Sequence, residues 1–314
     1  MQTIRLSHPN TFTHTIPGGL SMALGYFDGV HRGHKEVILT AKKWAENNGA
    51  KCAVMTFYPH PSKVLRKNVK PVEPITPLSD KIELIEELGA DYLFVVDFTE
   101  EFAALEPQEF IDQYMISLNV KHVTAGFDFT YGKLGKGTME AMPFHSRGQF
   151  TITTVSKQTD HDRKISSTLI REVVRNGDVS YAALLLGRPH FAKGVVIHGD
   201  KRGRTIGFPT ANVELKEDCL IPPTGVYAVS LLLNGKEYNG VCNIGYKPTF
   251  YDEKSLKPSI EVHIFDFNQE IYDQSVNVFW HKRIRSEQKF SGVEELIAQI
   301  ALDKKAAEDY FHNK

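Results

Sequence analysis

The chain has 314 residues, of which 41% are hydrophobic and 24% charged, and this composition excludes a disordered or fibrous protein. The 37 basic and 38 acidic side chains nearly cancel, which disfavours a general polyanion binder but not a local phosphate pocket. Three widely spaced cysteines, no long apolar run and no leader-like start predict a cytoplasmic protein without structural disulfides. The length predicts two domains.

The first half of the chain alternates short apolar runs with longer amphipathic stretches. Strands are predicted at 21–24, 52–57, 92–96, 122–125 and 150–155, and helices at 34–47, 78–88 and 102–118. This alternation is typical of a parallel sheet that carries helices on both faces. We therefore predict an α/β domain over residues 1–186.

The second half changes to short strands. They are predicted at 195–197, 226–231, 240–244, 260–265 and 276–280, and Asn234-Gly235 favours a type I′ hairpin between two of them. One amphipathic helix closes the chain and is expected to cover the core with Val293, Leu296, Ile297, Ile300, Ala307 and Phe311. We predict a small β-barrel domain with a closing helix over residues 187–314.

A glycine-rich loop follows the first of these strands and leads into the first helix. It reads Gly25-Tyr26-Phe27-Asp28-Gly29-Val30-His31-Arg32-Gly33-His34. Parallel sheets bind ligands at this position, where the helix start offers backbone donors, and two histidines can donate to phosphate oxygens. The P-loop and dinucleotide motifs are absent. Two histidines at this spacing can also cap the helix or form half of a metal site, although no cluster of further ligands accompanies them.

A second glycine-rich loop lies in the barrel region. It joins a predicted strand to Pro209-Thr210-Ala211-Asn212, and Lys201, Arg202 and Arg204 lie among its glycines. Such a flap can wrap phosphates with backbone donors. A solvated hairpin turn is the alternative; a nucleic-acid patch is disfavoured because the basic stretch is short and lacks aromatic residues.

Both loops resemble motifs of one family, the prokaryotic bifunctional riboflavin kinase/FMN adenylyltransferases. The first loop resembles the family's adenylyltransferase signature, and matches follow at 56–61, 126–132, 165–171 and 185–189. Pro209–Asn212 resembles the riboflavin kinase signature, with matches at 223–227, 240–245, 247–250, 260–266 and 283–290. The resemblance implies a Rossmann-like nucleotidylyltransferase domain and a riboflavin kinase barrel. ATP would phosphorylate riboflavin to FMN, and a second ATP would adenylylate FMN to FAD with release of pyrophosphate.

The resemblance also implies roles for residues of the first domain. His31 and His34 would stabilise the α-phosphate of ATP and the leaving oxygen, and Arg171 would hold the departing phosphates through its bidentate fork. The implied ATP contacts are Gly25, Phe27, Asp28, Gly33, Ser166, Ser167 and Thr168, and the implied flavin contacts are Asp128 and Phe129. For 166–168 the alternative is a helix N-cap with Arg171 on the solvent face.

In the second domain the resemblance implies that Glu261 is the general base for the ribityl 5′-hydroxyl of riboflavin. From its strand pattern alone, Glu261 is better interpreted as an exposed residue. Thr210 and Asn212 would bind Mg²⁺ through hard oxygen atoms. The implied ATP contacts are Gly199, Lys201, Gly203, Arg204 and Gly207, and the implied flavin contacts are Arg285 and Glu287. Tyr272-Asp273 and Phe279-Trp280 depart from the family pattern, so local turn shape and flavin-edge contacts are expected to differ.

Two rival functions stay open at this point. A nucleotidylyltransferase for a pantetheine or cytidylyl substrate would leave Pro209–Asn212 and the barrel unexplained. A non-catalytic flavin-binding regulator would not need the phosphate and metal residues, all of which are present. The expected partners are riboflavin, FMN and ATP, with no nucleic acid and no membrane; the sequence is compatible with an oligomer.

Overall fold

The computed structural model describes residues 1–10, 12, 16–65, 72–199, 203, 206–246 and 258–313. The chain divides into two compact units, Met1–Ser167 and Thr168–Lys314. The boundary between these units lies two helices before the predicted domain boundary at 186/187. The predicted boundary concerns where the segment for each activity ends, and it stays a prediction.

A six-stranded parallel sheet with flanking helices forms the first unit, as predicted. Its elements are β1 (Gln2–Leu6), β2 (Leu20–Leu24), α1 (Arg32–Asn48), β3 (Lys51–Tyr58), α2 (Pro61–Leu65), α3 (Leu78–Glu87), β4 (Tyr92–Asp97), α4 (Glu100–Ala103), α5 (Pro107–Ile111), a π-helical turn (Asp112–Ile116), β5 (Val120–Gly126), β6 (Thr130–Tyr131), a 3₁₀ turn (Lys133–Gly135), β7 (Gly137–Thr138), α6 (Met142–Ser146), β8 (Thr151–Val155), β9 (Thr159–Asp160) and β10 (Arg163–Lys164). Strands β2, β3 and β4 are almost wholly buried, because both faces of a parallel sheet are covered.

The helix predicted over 102–118 is wrong as a single element. Helix α4 ends at Ala103, and α5 begins at Pro107 behind a capping box formed by Glu106 and Glu109. Proline cannot donate to a preceding turn and disfavours helical backbone in the residue before it, so the helix must restart at Pro107. Phe102 and Tyr114 nevertheless meet edge to face, with centroids 5.1 Å apart, and join one core.

The strand order of the sheet, β1-β4-β3-β2-β5-β8, changes direction beside β2. The chain passes from β2 to β3 and β4 on one side and then returns to the other side of β2 as β5. The loops after β2 and β5 therefore leave the sheet at neighbouring carboxyl ends. Ligands of open α/β sheets bind at such a switch point.

The second unit is a closed six-stranded antiparallel barrel with helices, as predicted. Its elements are α7 (Ser167–Arg175), α8 (Val179–Leu186), β11 (His190–Ile197), β12 (Ala211–Leu215), β13 (Gly225–Leu233), β14 (Lys236–Tyr246), β15 (Pro258–Ile264), β16 (Ser275–Arg285) and α9 (Val293–His312). The predicted hairpin is confirmed, because Asn234 and Gly235 both have positive φ, +50° and +78°, as a type I′ turn requires.

The barrel core contains Trp280 and Tyr227, both fully buried, together with Val179 from α8. Helix α9 covers the barrel less completely than its apolar pattern predicts. Val293 is 61% exposed, and the buried residues of α9 are Asp303 and Ala307. Within the described residues, no helix combines the length and the apolar character needed to cross a bilayer.

Candidate active sites

The loop between β2 and α1 has a strained backbone. Phe27, Gly29 and Val30 have φ angles of +54°, +85° and +39°. This left-handed region is unfavourable for bulky and β-branched side chains, so the surrounding structure must hold Phe27 and Val30 in place. Both are fully buried. Backbone strain of this kind is concentrated at ligand-binding turns, which agrees with the loop's position at the switch point.

His31 caps α1, and its Nδ1 accepts the backbone N–H of His34 at 3.2 Å. The two imidazole rings stack with their centroids 3.5 Å apart, and the Phe27 ring meets His34 edge-on at 5.3 Å. Because Nδ1 of His31 accepts a hydrogen bond, the neutral ring carries its proton on Nε2 and can donate it. A Cβ at Gly33 would lie 3.3 Å from the His31 ring, and one at Gly25 would lie 2.8 Å from the Phe27 ring. The capping and phosphate-binding interpretations are therefore compatible.

Asp28 fastens this loop to the protein. Its buried carboxylate accepts the backbone N–H groups of Ile75 and Thr76 at 3.0 to 3.1 Å. Its carbonyl oxygen accepts the hydroxyl of Ser167 at 2.9 Å. The carboxylate thus serves as an anchor for the segment before α3, and a contact between Asp28 and ATP stays a prediction.

The loop after β5 carries the predicted flavin contacts of the first unit. Phe129 is partly buried against the core. Asp128 forms an ion pair with Lys164, whose Nζ lies 4.7 Å from the centroid of the Phe127 ring. Phe127 is 41% exposed, so an aromatic face and a charged pair lie together at this edge of the sheet.

Ser166 and Ser167 end the first unit, and Thr168 and Arg171 lie on α7 in the second. Arg171 is only 9% exposed. The alternative that placed its side chain on the solvent face is therefore wrong. A buried guanidinium requires acceptors for its N–H groups, which is consistent with an ordered role for this side chain.

On the barrel, three polar residues form a row across neighbouring strands. Asn212 on β12 lies opposite Glu261 on β15, which lies opposite Asn243 on β14. Ile260 and Val262, which flank Glu261, point into the barrel core. Residues alternate in a strand and directly opposed side chains share a face, so the row lies on the outer face of the barrel.

Glycines of the second loop lie against the predicted metal ligands. A Cβ at Gly199 would collide with the side-chain amide of Asn212, and one at Gly203 would lie 3.5 Å from the Thr210 hydroxyl. The carbonyl of Gly203 also accepts the N–H of Phe208 at 2.8 Å. Gly207 has φ +86°, which favours glycine. Lys201, Arg204 and the 247–250 match lie outside the described residues.

The guanidinium of Arg285 forms an ion pair with another residue of the same unit. It contacts the carboxylate of Asp303 on α9, with Nε 2.9 Å from Oδ1 and Nη2 2.7 Å from Oδ2. Asp303 is 3% exposed, so this ion pair joins β16 to α9. Glu287 lies nearer the polar row: a Cβ at Gly245 would be 3.5 Å from its Oε1 and 3.3 Å from Nδ2 of Asn243. A flavin contact stays a prediction for both residues.

The departures from the family pattern have local explanations. Asp273 has φ +62°, the conformation that glycine favours, and Tyr272 beside it stacks on His198 at 3.9 Å. Trp280 is fully buried in the barrel core, and Phe279 packs on Phe191 at 5.3 Å. The departure at Phe279-Trp280 is therefore explained by how these two side chains pack in and on the barrel.

The comparisons with known proteins cover both units. A family model described as FAD synthetase matches residues 13–169, and one described as riboflavin kinase matches 186–311. The bifunctional riboflavin kinase/FMN adenylyltransferase of Bacillus subtilis is 58% identical, covering 100% of this chain and 99% of that protein. The chain belongs to this family. The enzyme of the same name from Listeria monocytogenes is 49% identical over 99% of this chain and 98% of its own.

This riboflavin kinase/FMN adenylyltransferase also resembles a solved structure. A crystal structure described as a macrolide-efflux protein from Streptococcus pneumoniae matches 98% of this chain and 99% of its own, with 34% identity and a TM-score of 0.89. The predicted family, fold class and pair of activities are confirmed. A different nucleotidylyltransferase and a non-catalytic regulator are rejected.

Four residues beside the candidate sites were not marked as functional by the sequence: Lys81, Lys164, Asn243 and His263. Three of them lie in or beside matched motifs, where spacing could have identified them. Lys81 has no such signal, because it resembles an ordinary surface lysine of an amphipathic helix.

Proposed function

We propose that FMN is adenylylated around His31 and His34 in the first unit and that riboflavin is phosphorylated around Glu261 on the barrel. The observation that carries this assignment is that the histidine loop belongs to the first unit, whereas Asn212, Glu261 and Asn243 lie side by side on the barrel of the second. The histidines lie at the switch point of the sheet, and Glu261 lies between Asn212 and Asn243 on the barrel.

For adenylylation, a phosphate oxygen of FMN attacks the α-phosphorus of ATP in line. The new phosphorus–oxygen bond forms as the bond to the β-phosphate oxygen breaks, and pyrophosphate leaves. No protein nucleophile is required, so positioned hydrogen-bond donors supply the catalysis. Nε2 of His31 and the start of α1 provide donors at this position, and His34 stacks directly against His31.

For phosphorylation, the 5′-hydroxyl of riboflavin attacks the γ-phosphorus of ATP and ADP leaves. The carboxylate of Glu261 accepts the hydroxyl proton as the bond forms. Asn212 and Asn243 flank this carboxylate on either side of β15.

The residues near Asn212 fit Mg²⁺. Among the described residues, no cluster of three or more His, Cys, Asp or Glu side chains could hold a metal ion by itself. Thr210 and Asn212 offer a hydroxyl and an amide oxygen beside glycines that leave space for phosphate. Mg²⁺ is commonly bound by few protein ligands together with substrate phosphates. When bound, it would neutralise charge on the transferred phosphate.

Riboflavin, FMN and ATP are therefore the small-molecule partners of this enzyme. A cytoplasmic location is part of the proposal, supported by Cys52, Cys219 and Cys242, none of which forms a disulfide bond. Self-association stays a prediction.

Two substitutions test the assignment by opposite effects. We expect His31→Ala to lower FAD formation from supplied FMN about 300-fold, the loss typical of one removed oxyanion donor, with riboflavin phosphorylation unchanged. We expect Glu261→Gln to lower FMN formation by ~10²–10⁴, as for a lost general base, with adenylylation unchanged. Glu237→Gln, at an exposed position of β14, is the matched control. A single substitution that damages both activities equally would contradict the assignment.

A further inference from the structure

Helix α3 carries a buried lysine beside the loop of residues 25–31 between β2 and α1, which we call the adenylylation loop. The side chain of Lys81 is 2% exposed. Lysine is almost never buried without a charged partner, because a desolvated ammonium is costly. Among the described residues, no carboxylate lies within ion-pair distance of its Nζ. Burial of this ammonium therefore costs folding free energy that the rest of the structure must offset.

The ammonium of Lys81 holds the backbone of the loop. Its Nζ donates to the carbonyl oxygen of Tyr26 at 2.8 Å and lies 4.2 Å from the centroid of the Tyr26 ring. The hydroxyl of Thr56 donates to the same carbonyl at 2.8 Å. Charged donors form the stronger hydrogen bonds, and the ring face adds a cation–π attraction.

This carbonyl immediately precedes the strained residue Phe27. The carboxylate of Asp28 fastens the chain on the other side of Phe27, through its bonds to the segment before α3. The ring of Phe27 contacts His34, whose N–H is bonded to His31. A displacement of the Tyr26 carbonyl would therefore be passed through Phe27 to both histidine rings.

We propose that Lys81 is a positioning residue for FMN adenylylation, which fixes the Tyr26 carbonyl and thereby orients His31 and His34. This inference rests on the proposed function of the two histidines. A misplacement of about 1 Å at reacting groups can cost about 10²-fold in rate, so a loss of this anchor should lower turnover more than it lowers ATP binding.

Burial lowers the pKa of Lys81 to about 8, and the negative charge of Asp28 partly opposes this shift. Above that pH the ammonium loses its proton, and the bond to Tyr26 becomes a weaker neutral one. Adenylylation should then fall several-fold as the pH rises from about 7 to about 9. The other titratable and charged groups on the loop and on the segments around it include Tyr26, Asp28, His31, Arg32, His34, Lys35, Tyr58, His60, Glu73, Asp80 and Glu83. All are retained in Lys81 variants, so a comparison among variants isolates Lys81.

The experiment compares K81M, K81R and K42M in the full chain. Lys42 is the matched control, because its Nζ donates to the Leu88 carbonyl at 3.3 Å without contacting the loop. We expect K81M to lower kcat for FAD formation from supplied FMN by ~10–100-fold with a smaller change in KM for ATP. K81R should restore most of the rate and remove the fall above about pH 8, because guanidinium stays charged. K42M should behave as wild type.

Thermal unfolding by circular dichroism shows whether the first unit of each variant is folded, and riboflavin phosphorylation by the same preparations measures the amount of intact barrel unit. Wild-type kcat in K81M overturns the inference, as does a K81R pH profile identical to that of the wild type. If K81M does not fold, the K81R profile alone decides between these results. The proposed function fails separately: His31→Ala would then retain FAD formation, whereas failure of this inference leaves His31→Ala inactive and K81M active.

Discussion

The two candidate sites hold their functional residues in similar ways but at different depths. In each, a side chain from a neighbouring element donates to the carbonyl just before the functional segment. Lys81 donates to Tyr26 ahead of the histidine loop, and Nδ1 of His263 donates to Pro209 at 2.9 Å ahead of Thr210. The first anchor is a fully buried ammonium, and the second is a half-buried neutral imidazole.

This difference follows from the architecture. The adenylylation loop leaves the middle of a sheet covered on both faces, so its anchors are buried and its backbone can be kept in a strained conformation. The residues proposed for phosphorylation lie on the outer face of a barrel, where the bound substrates must exclude water. We therefore expect the first site to be more rigid and the second to depend more on its bound ligands.

Two fragments of the chain test whether the units are independent, and this is the largest expected effect. Val179 of α8 is fully buried in the barrel core, and Ser180 donates to the His281 carbonyl at 2.8 Å. We expect a fragment of residues 168–314 to fold and to make FMN but no FAD. A fragment of residues 188–314 lacks α8 and should lose about 1.5–3 kcal/mol for each apolar side chain that it no longer buries.

Thermal unfolding by circular dichroism and chromatography of the flavin products compare the fragments. Equal stability of both would show that α8 is dispensable and would favour the boundary at 186/187. If the longer fragment folds but makes no FMN, the placement of the kinase on the barrel is contradicted.

The sequence predicted much of this organisation, because apolar runs and glycine turns report local structure. The parallel sheet, the barrel, the hairpin at Asn234-Gly235 and the position of the histidine loop all follow from such signals. The partners of Asp28 and Arg285 could not be predicted in this way. Asp28 bonds to residues 47 and 48 positions away, and Arg285 pairs with a residue on another element. Lys81 is the extreme case, since only tertiary packing distinguishes it from a solvated lysine.

The predicted metal ligands provide the next test. Thr210→Ala and Asn212→Ala should each raise the KM for Mg²⁺-ATP in riboflavin phosphorylation about tenfold, because each removes an oxygen from a charged interaction. Thr210→Ser, which keeps the hydroxyl, should retain normal affinity. Gly199→Ala should mimic Asn212→Ala, since its Cβ would displace the Asn212 amide. Gly292→Ala, where a Cβ meets no atom within 4 Å, is the control. Normal affinity in the Thr210 and Asn212 variants would refute the metal assignment.

The smallest expected effect concerns the surface anchor of the kinase site. His263 donates to the Pro209 carbonyl and contacts the Phe208 ring edge-on, so it fixes the backbone that leads to Thr210. Removal of one such hydrogen bond costs about 1 kcal/mol, which corresponds to about a fivefold change in affinity. His263→Leu should therefore raise the KM for Mg²⁺-ATP about fivefold and leave adenylylation unchanged.

His263→Asn places an amide donor near the position of Nδ1 and should restore most of that affinity. Burial lowers the pKa of His263, so the ring is neutral from about pH 7 to about pH 8. The KM of the wild type should therefore stay constant over this range, unlike the adenylylation rate that depends on Lys81. His312→Leu, at an exposed position of α9, serves as the control. If His263→Leu binds Mg²⁺-ATP normally, Thr210 is held by the barrel strands alone, and the parallel between the two anchors does not exist.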